Sequence, residues 1–236
     1  MTSQAGSDTL AARYSHLALE GLERPDVDRR LRSLDLALAG TSLVLLAPVA
    51  VAIAVAIRAR LGPPILYRGE RVGRFGHVFE MYKFRTLRRD AERRLGSAYG
   101  EELTRRTAEE VTAIGRLLRI SYLDEVPQLV NVLRGDMSIV GPRPVRPAFF
   151  EELAEHVPHY WQRMVVRPGV TGFAQVRVTR EDPWTFKLSH DLEYIADRSV
   201  GLYVSVIAAT VRQVLSRSDG PIRAEETGTA KLPDDE

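Results

Sequence analysis

From Leu36 to Ile57 the chain runs LALAGTSLVLLAPVAVAIAVAI, 22 residues without a charge. An unbroken helix of that length reaches about 33 Å, close to the roughly 30 Å hydrocarbon core of a bilayer. Membrane insertion is therefore expected; a buried core helix, or a strand over the Val49–Ile57 alternation, is the alternative. Pro48 stands near the middle of the run. It lacks the N–H that would pair with the Val44 carbonyl and crowds the preceding turn, which predicts two arms, Leu36–Ala47 and Val49–Ile57. They reach about 18 and 14 Å, each about half the hydrocarbon thickness, with Thr41 and Ser42 placed to satisfy the freed backbone. Arg29, Arg30 and Arg32 precede the run and Arg58, Arg60 and Arg68 follow it. Basic residues on both sides favour both flanks staying cytoplasmic, hence a re-entrant hairpin rather than a kinked spanning helix.

The remaining pattern is that of a mixed domain. Pro63-Pro64 enforces extended backbone. Ile65–Val72 and His77–Leu87 then read as strands around the turn residues Gly73–Gly76. Arg88–Gly115, dense in Arg and Glu, reads as a solvated helix pair. Phe149–Val157, Phe186–Arg198 and Ser199–Leu215 read as helices, the last apolar nearly all round and suited to the core or the lipid interface. Arg167–Gly172 reads as a loop. The fold class is α+β, mostly helical: a monotopic membrane protein with a Pro-broken re-entrant helix hairpin, a small β-hairpin and amphipathic interfacial helices. The divisions are a polar tail (1–28), the re-entrant hairpin (29–60), a catalytic domain at the cytoplasmic face (61–217) and a disordered tail (218–236).

Composition narrows the chemistry. The 236 residues are 44% hydrophobic, enough for a core, and 33 Lys+Arg against 31 Asp+Glu leave a net charge of +2. That balance predicts no nucleic-acid partner. With no Cys, disulfides, thiolate zinc sites, iron–sulfur clusters and thiol nucleophiles are excluded. No phosphate loop, dinucleotide fingerprint, H-E-x-x-H or G-x-S-x-G motif is present. His156 and His159 straddle Pro158 with no third ligand near in sequence and read as surface residues.

What remains is Tyr122-Leu-Asp124-Glu125-Val-Pro127. Pro127 suits a first helical turn, so Asp124 is expected as the N-cap, with Pro127 at N3 removing one N–H that such a cap binds. A carboxylate only partly used for capping, at a positive helix end, suits an anionic substrate held with Mg²⁺. Arg119, Arg134, Arg143, Arg146 and Arg167 surround the pair in sequence, and Lys83 and Arg85 lie in Tyr82–Thr86. Rigid guanidinium forks suit phosphate oxygens. Phosphoryl chemistry on a lipid phosphate and structural ion pairing both remain open on these residues alone.

Tyr82-Lys-Phe-Arg-Thr86, the long block Leu123–Pro144 (LDEVPQLVNVLRGDMSIVGPRP) and Arg167–Val176 (RPGVTGFAQV) resemble the bacterial sugar transferase family. These are small monotopic polyprenyl-phosphate phosphoglycosyl transferases. The spacing of Trp184, Lys187, Asp191 and Tyr194 resembles the family's C-terminal segment, and the arm broken at Pro48 resembles its re-entrant helix. The resemblance covers Leu31 to Leu215. It implies transfer of a sugar-1-phosphate from a UDP-sugar to polyprenyl (undecaprenyl) phosphate at the cytoplasmic face of the cell (inner) membrane, with Mg²⁺. Such a step opens exopolysaccharide, capsule, O-antigen or glycoprotein glycan synthesis. By the same resemblance, Asp124 is the nucleophile that forms an aspartyl-phosphosugar and releases UMP, and it is also a metal ligand. Glu125 is the second catalytic carboxylate, and Arg119, Arg143, Arg167, Lys83 and Arg85 bind substrate. Expected partners are the UDP-sugar, polyprenyl phosphate and membrane lipids; a homodimer is left open. Three departures stand out: Arg177-Val-Thr-Arg180 replaces N-G-R after the A-Q-V, Glu70 stands where Gln is usual, and the linker from Arg88 to Gly115 is unlike that of a typical member. A glycosyltransferase releasing UDP and a catalytically silent scaffold of a glycan-assembly complex are the competing functions.

Overall fold

A computed structural model describes residues 24–91, 94, 100–179 and 182–216. The N-terminal stretch to 23 and the tail from 217 lie outside the described residues. The first element, α1 (Pro25–Leu61), is a single 37-residue helix. Pro at its first position and Asp26 and Asp28 in its first turn favour initiation there. Residues 25–28, expected in the tail, are therefore the start of the helix. The expected separation into two arms at Pro48 is corrected as well, because Pro48 lies inside continuous helix. A proline deletes one hydrogen bond of the ladder and crowds one turn, which bends a helix without having to end it.

The burial of α1 is confined to a stripe. Leu31, Asp35, Ala39 and Ile57 are buried, the first three at i, i+4 and i+8. Between them Val44, Leu45, Val51 and Val55 remain 62–74% exposed. The helix is long and apolar enough to cross a membrane, and only 6% of its most apolar 18-residue window is buried. Apolar surface this continuous calls for a lipid or protein cover.

The hairpin forms as the alternation predicts. β1 (Leu66–Val72) pairs antiparallel with β2 (Val78–Phe84), from Leu66 opposite Phe84 to Val72 opposite Val78. The turn between them is a short 3₁₀ segment, Arg74–Gly76, with Phe75 in the left-handed region. Strand β2 stops at Phe84 rather than Leu87: the Arg85 N–H still meets the Ile65 carbonyl at 2.9 Å, after which Thr86 and Leu87 turn to Thr112 and Val111. Helix α2 (Gly100–Glu110) and helix α3 (Ala113–Ser121) follow, and a bridge pairs Leu87 with Val111. Residues 92, 93 and 95–99, part of the expected solvated helix pair, lie outside the described residues. After α4 (Gln128–Arg134) come β3 (Ser138–Val140) and α5 (Pro147–His156). Gly169–Thr171, expected as loop, is instead strand β4, parallel to β3. The glycines permit that approach: a Cβ on Gly169 would stand 2.1 Å from the Gly141 nitrogen. The chain ends in α6 (Phe173–Arg177), α7 (Trp184–Asp197) and α8 (Val200–Leu215).

Three apolar clusters hold α1 to this body. Ala39 packs with Phe79, Met81, Val132 and Met137, and Ile57 with Phe84, Leu118 and Val126. Leu31 joins a third cluster with Ile195, Tyr203 and Val206. The ends of the apolar helix are thereby fixed to β2, α4 and α8, while Leu117 and Ile120 of α3 and Val204, Val211 and Leu215 of α8 stay exposed.

Candidate active site

The site grows from the end of β2. The Thr86 carbonyl accepts hydrogen bonds from the Thr112 N–H and the Thr112 hydroxyl, each at 3.0 Å. Thr112 also caps α3 by accepting from the Gly115 N–H at 3.0 Å. Gly115 is required by space: a Cβ there would lie 2.0 Å from the Thr86 carbonyl oxygen. This close seam sets α3 against the strand, and Arg119 in its last turn donates through Nε to Thr86 Oγ1 at 3.0 Å.

At the end of α3, Tyr122 adopts a left-handed conformation, φ 57° and ψ 12°, and its N–H returns to the Arg119 and Leu118 carbonyls. A non-glycine residue held there stores a little strain, of the kind that gathers at functional turns. The chain then makes a 3₁₀ turn, Leu123–Glu125, before α4. Asp124 is therefore not the N-cap of α4, which was its expected place; Pro127 occupies that position. The tight turn uses up the chain between Tyr122 and Pro127 and directs both carboxylates inward instead. Helix α4 is fixed to the hairpin by Asn131, which is fully buried. Its side chain accepts from the Tyr82 N–H at 3.0 Å and donates to the Glu80 carbonyl at 2.7 Å.

The result is an enclosed cluster of charge. Asp124 is 4% exposed, Glu125 9%, Lys83 2%, Arg85 6% and Arg119 5%. Lys83 Nζ lies 3.6 Å from Glu125 Oε1. Arg85 Nη2 donates to the Leu61 and Gly62 carbonyls, both at 2.8 Å, tying the site to the end of the membrane helix. The Nε and Nη1 of Arg85 are buried without a hydrogen-bond partner. Burial, and then the nearby Arg89 charge, lower the pKa of this guanidinium. A buried cation with unmet donors is a receptor for an anion. Lys83 and Glu125 thus meet directly, with Asp124 beside Glu125 in the 3₁₀ turn and Arg119 joined to the exit of β2 through Thr86, while Arg85, from the same exit, is turned to the end of α1.

Arg143 and Arg167 stand elsewhere. Arg143 Nη1 donates to Gln175 Oε1 at 3.3 Å, and its carbonyl accepts from Arg163 at 3.1 Å. Arg167 Nε donates to the Gly135 carbonyl at 2.8 Å, past the C-terminal end of α4, whereas Asp124 precedes its N-terminal end. Of the C-terminal residues singled out, Asp191 pairs with Arg163 at 2.7 Å, with both nearly closed to solvent. Tyr194 donates to the Val140 carbonyl at 3.2 Å, and Lys187 lies over the Trp184 ring at 4.9 Å. Arg177 pairs with Glu193 at 3.3 Å; Arg180 is outside the described residues. Sequence reasoning missed Arg163, Thr86 and Asn131 as organisers. Asn131 had left a signal: a lone amide in the apolar turn Leu-Val-Asn-Val-Leu.

Among the described residues, no three His, Cys, Asp or Glu side chains converge as a metal cage. Two adjacent carboxylates with cations beside them nevertheless fit Mg²⁺, which is commonly held by one or two carboxylates plus substrate phosphate oxygens.

Comparison with known proteins identifies the family. The family model for bacterial sugar transferases matches residues 28–217. The chain belongs to this family. A UDP-glucose:undecaprenyl-phosphate glucose-1-phosphate transferase of Caulobacter vibrioides is 37% identical over 202 residues, covering 83% of this chain and 73% of that protein. A UDP-N-acetylgalactosamine-undecaprenyl-phosphate N-acetylgalactosaminephosphotransferase of Aeromonas hydrophila is 34% identical over 188 residues, covering 78% of this chain and 43% of its own length. A UDP-glucose:undecaprenyl-phosphate glucose-1-phosphate transferase of Escherichia coli is 35% identical over 187 residues, 76% of this chain and 39% of that protein. The chain thus spans less than half the length of two of these three relatives. The family match begins at the first turns of α1 and ends just past α8, so the apolar helix and the carboxylate site lie together inside the shared region.

Proposed function

We propose that this protein is a phosphoglycosyl transferase that moves a sugar-1-phosphate from a UDP-sugar to undecaprenyl phosphate, releasing UMP. The observation that carries this reading is the buried Lys83–Glu125 pair with Asp124 adjacent to it, on a strand exit that Arg85 ties to the end of a membrane-suited helix. A soluble donor and a lipid-borne acceptor can meet only where a catalytic body touches a bilayer, and Arg85 hangs from the Leu61 and Gly62 carbonyls at such a place. The relatives act on these two substrate classes by name.

An Asp124 carboxylate oxygen attacks the phosphorus that bears the sugar. The bond from that phosphorus to the bridging oxygen breaks, UMP leaves, and an aspartyl-phosphosugar remains. A terminal oxygen of undecaprenyl phosphate then attacks the same phosphorus and the Asp124 carboxylate departs, giving undecaprenyl-diphosphate-sugar. Arg85 and Arg119 supply fixed positive charge as negative charge shifts between oxygens. The near-closure of Asp124 protects the acyl phosphate from water. Mg²⁺, held by Asp124 with substrate phosphates, would supply further charge neutralisation. The exposed middle of α1 dips into the cytoplasmic leaflet of the inner membrane and returns, bending at Pro48, so that both basic flanks stay on the cytoplasmic side. The reaction is then the first membrane step of a surface glycan.

The test is the nucleotide released by purified membranes given UDP-sugars, Mg²⁺ and undecaprenyl phosphate. UMP is expected. UDP would mark a simple glycosyltransferase, and no nucleotide from any sugar of a full panel would mark a scaffold. The D124N variant should remain folded and membrane-bound while losing at least about a thousandfold in turnover. Near-normal UMP release by D124N would remove Asp124 from the chemistry.

A further inference from the structure

A second basic site lies at the other end of α4. A cleft opens where the first turns of α1 meet the β1–β2 turn and the segment leading into β4, lined by Asp28, Arg32 and Asp35 of α1 together with Arg74, Arg167 and Arg198. Its two acids are already engaged. Asp28 pairs with Arg198 at 2.7 Å. Asp35 Oδ1 accepts from the Ser138 hydroxyl at 2.9 Å, the Ile139 N–H at 2.8 Å and the Tyr203 hydroxyl at 2.8 Å.

The other three arginines are oriented but not neutralised. Arg32 donates to the Val132 and Leu133 carbonyls at 2.6 and 3.0 Å, Arg74 Nε to the Val165 carbonyl at 2.9 Å, and Arg167 Nε to the Gly135 carbonyl at 2.8 Å. Among the described residues none of the three joins an ion pair, and the Nη atoms of Arg74 and Arg167 make no hydrogen bond within the protein. Carbonyls aim a guanidinium without cancelling its charge. Burial lowers the pKa of Arg167, and the Arg32 and Arg74 charges press in the same direction, opposed in part by Asp35 and Asp28. Asp35 keeps its charge, since its partners are neutral donors, but with Asp28 spent on Arg198 three guanidiniums from three segments face one carboxylate. That excess favours an anion, and the unbonded Nη atoms of Arg74 and Arg167 match the oxygens of a phosphate.

The depth of the cleft indicates where that phosphate resides. Leu36 and Leu38, the first exposed apolar residues of α1, are 43% and 39% exposed and begin directly after Asp35. The cleft therefore sits at the polar edge of the surface suited to lipid, the level of headgroups. It is distinct from the Asp124 cluster, because α4, seven residues and about 10 Å long, separates the two.

We infer that this cleft binds a phosphate group, held between the forks of Arg74 and Arg167 with Arg32 beside them, independently of the carboxylate site. A membrane phospholipid headgroup and free phosphate share this chemistry. Occupancy by the headgroup rests on α1 lying in the bilayer, whereas binding of phosphate itself does not.

Thermal unfolding of the full chain in uncharged detergent, with inorganic phosphate or with short-chain phosphatidic acid, tests it. Stabilisation is expected from at least one probe: phosphate acting alone identifies a free-anion site, and phosphatidic acid acting alone a headgroup site. The R74Q variant should weaken that probe about tenfold, the loss of one charge-assisted contact. R74K, which keeps the charge and loses the fork, serves as a second folded variant and should weaken it about threefold. R85Q, at the opposite end of α4, should remove only stabilisation arising at the carboxylate site and keep the part that R74Q removes. No stabilisation by either probe, unchanged binding in both Arg74 variants, or a loss confined to R85Q would overturn the inference. A third arm with UMP separates the sites: R74Q should keep the thermal stabilisation that UMP gives the unaltered protein, and its loss would overturn the inference by making the cleft part of the nucleotide site.

Discussion

Lys83 Nζ stands 3.6 Å from Glu125 Oε1, with the two side chains only 3% and 10% exposed. The cation comes from the end of a strand and the carboxylate from the turn before a helix. Removing one partner of such a pair leaves a buried charge uncompensated, at a cost of roughly 3 kcal/mol. Lys83→Met and Glu125→Gln should each destabilise the protein by about that much and reduce UMP release. The double variant should recover much of the stability and none of the activity. Chemical unfolding in detergent alongside the turnover assay reads both. Restored activity in the double variant would leave the pair a purely structural role.

Arg163 and Asp191 form a second buried pair, at 2.7 Å, and Arg163 also bonds the Tyr160 hydroxyl and the Arg143 carbonyl. Desolvation raises the Asp191 pKa, opposed by Arg163, and pushes the Tyr160 phenol up to about 12. Asp191→Ala should cost about 3–5 kcal/mol. Arg163 holds the backbone of Arg143, which the family resemblance assigns to substrate binding; on that assignment the surviving enzyme should show a larger rise in KM for the UDP-sugar than fall in kcat. A pure kcat effect would separate this pair from donor binding.

Gly115→Ala is a small change with a backbone consequence. Its methyl group would meet the Thr86 carbonyl carbon and oxygen, which cannot swing aside as a side chain would. The seam between α3 and β2 should open, with a loss of about 1–3 kcal/mol and a drop in activity through Arg119 and Lys83. Wild-type stability for this variant, measured by thermal unfolding, would mean that the seam yields elsewhere.

The path of α1 can be read chemically, because an introduced cysteine is the chain's only thiol. In intact cells Ser7→Cys should resist an impermeant thiol reagent added outside and react once the membrane is opened. Labelling in intact cells would replace the re-entrant path with a spanning helix.

The primary structure by itself determined the apolar helix, the β1–β2 hairpin, the C-terminal helices and the identity of the carboxylate pair. Each rests on local chemistry: an uncharged run, alternation about a turn, 3.6-residue periodicity, and Asp beside Glu before a proline. Tertiary structure decided the rest. No local rule shows that Asp124 sits in a 3₁₀ turn rather than capping α4, because that follows from the left-handed Tyr122 and from Asn131 fastening α4 to the strand. The β3–β4 pair is invisible locally, since three-residue parallel strands depend on glycines admitting a backbone some 30 residues away. Nor does the sequence order the arginines. Arg85 turns to the end of α1 and Arg119 to Thr86, while Arg167 joins Arg32 and Arg74 at the far end of α4. Charge can be counted along a chain, but its field depends on which distant segments packing brings within a few ångströms of one another.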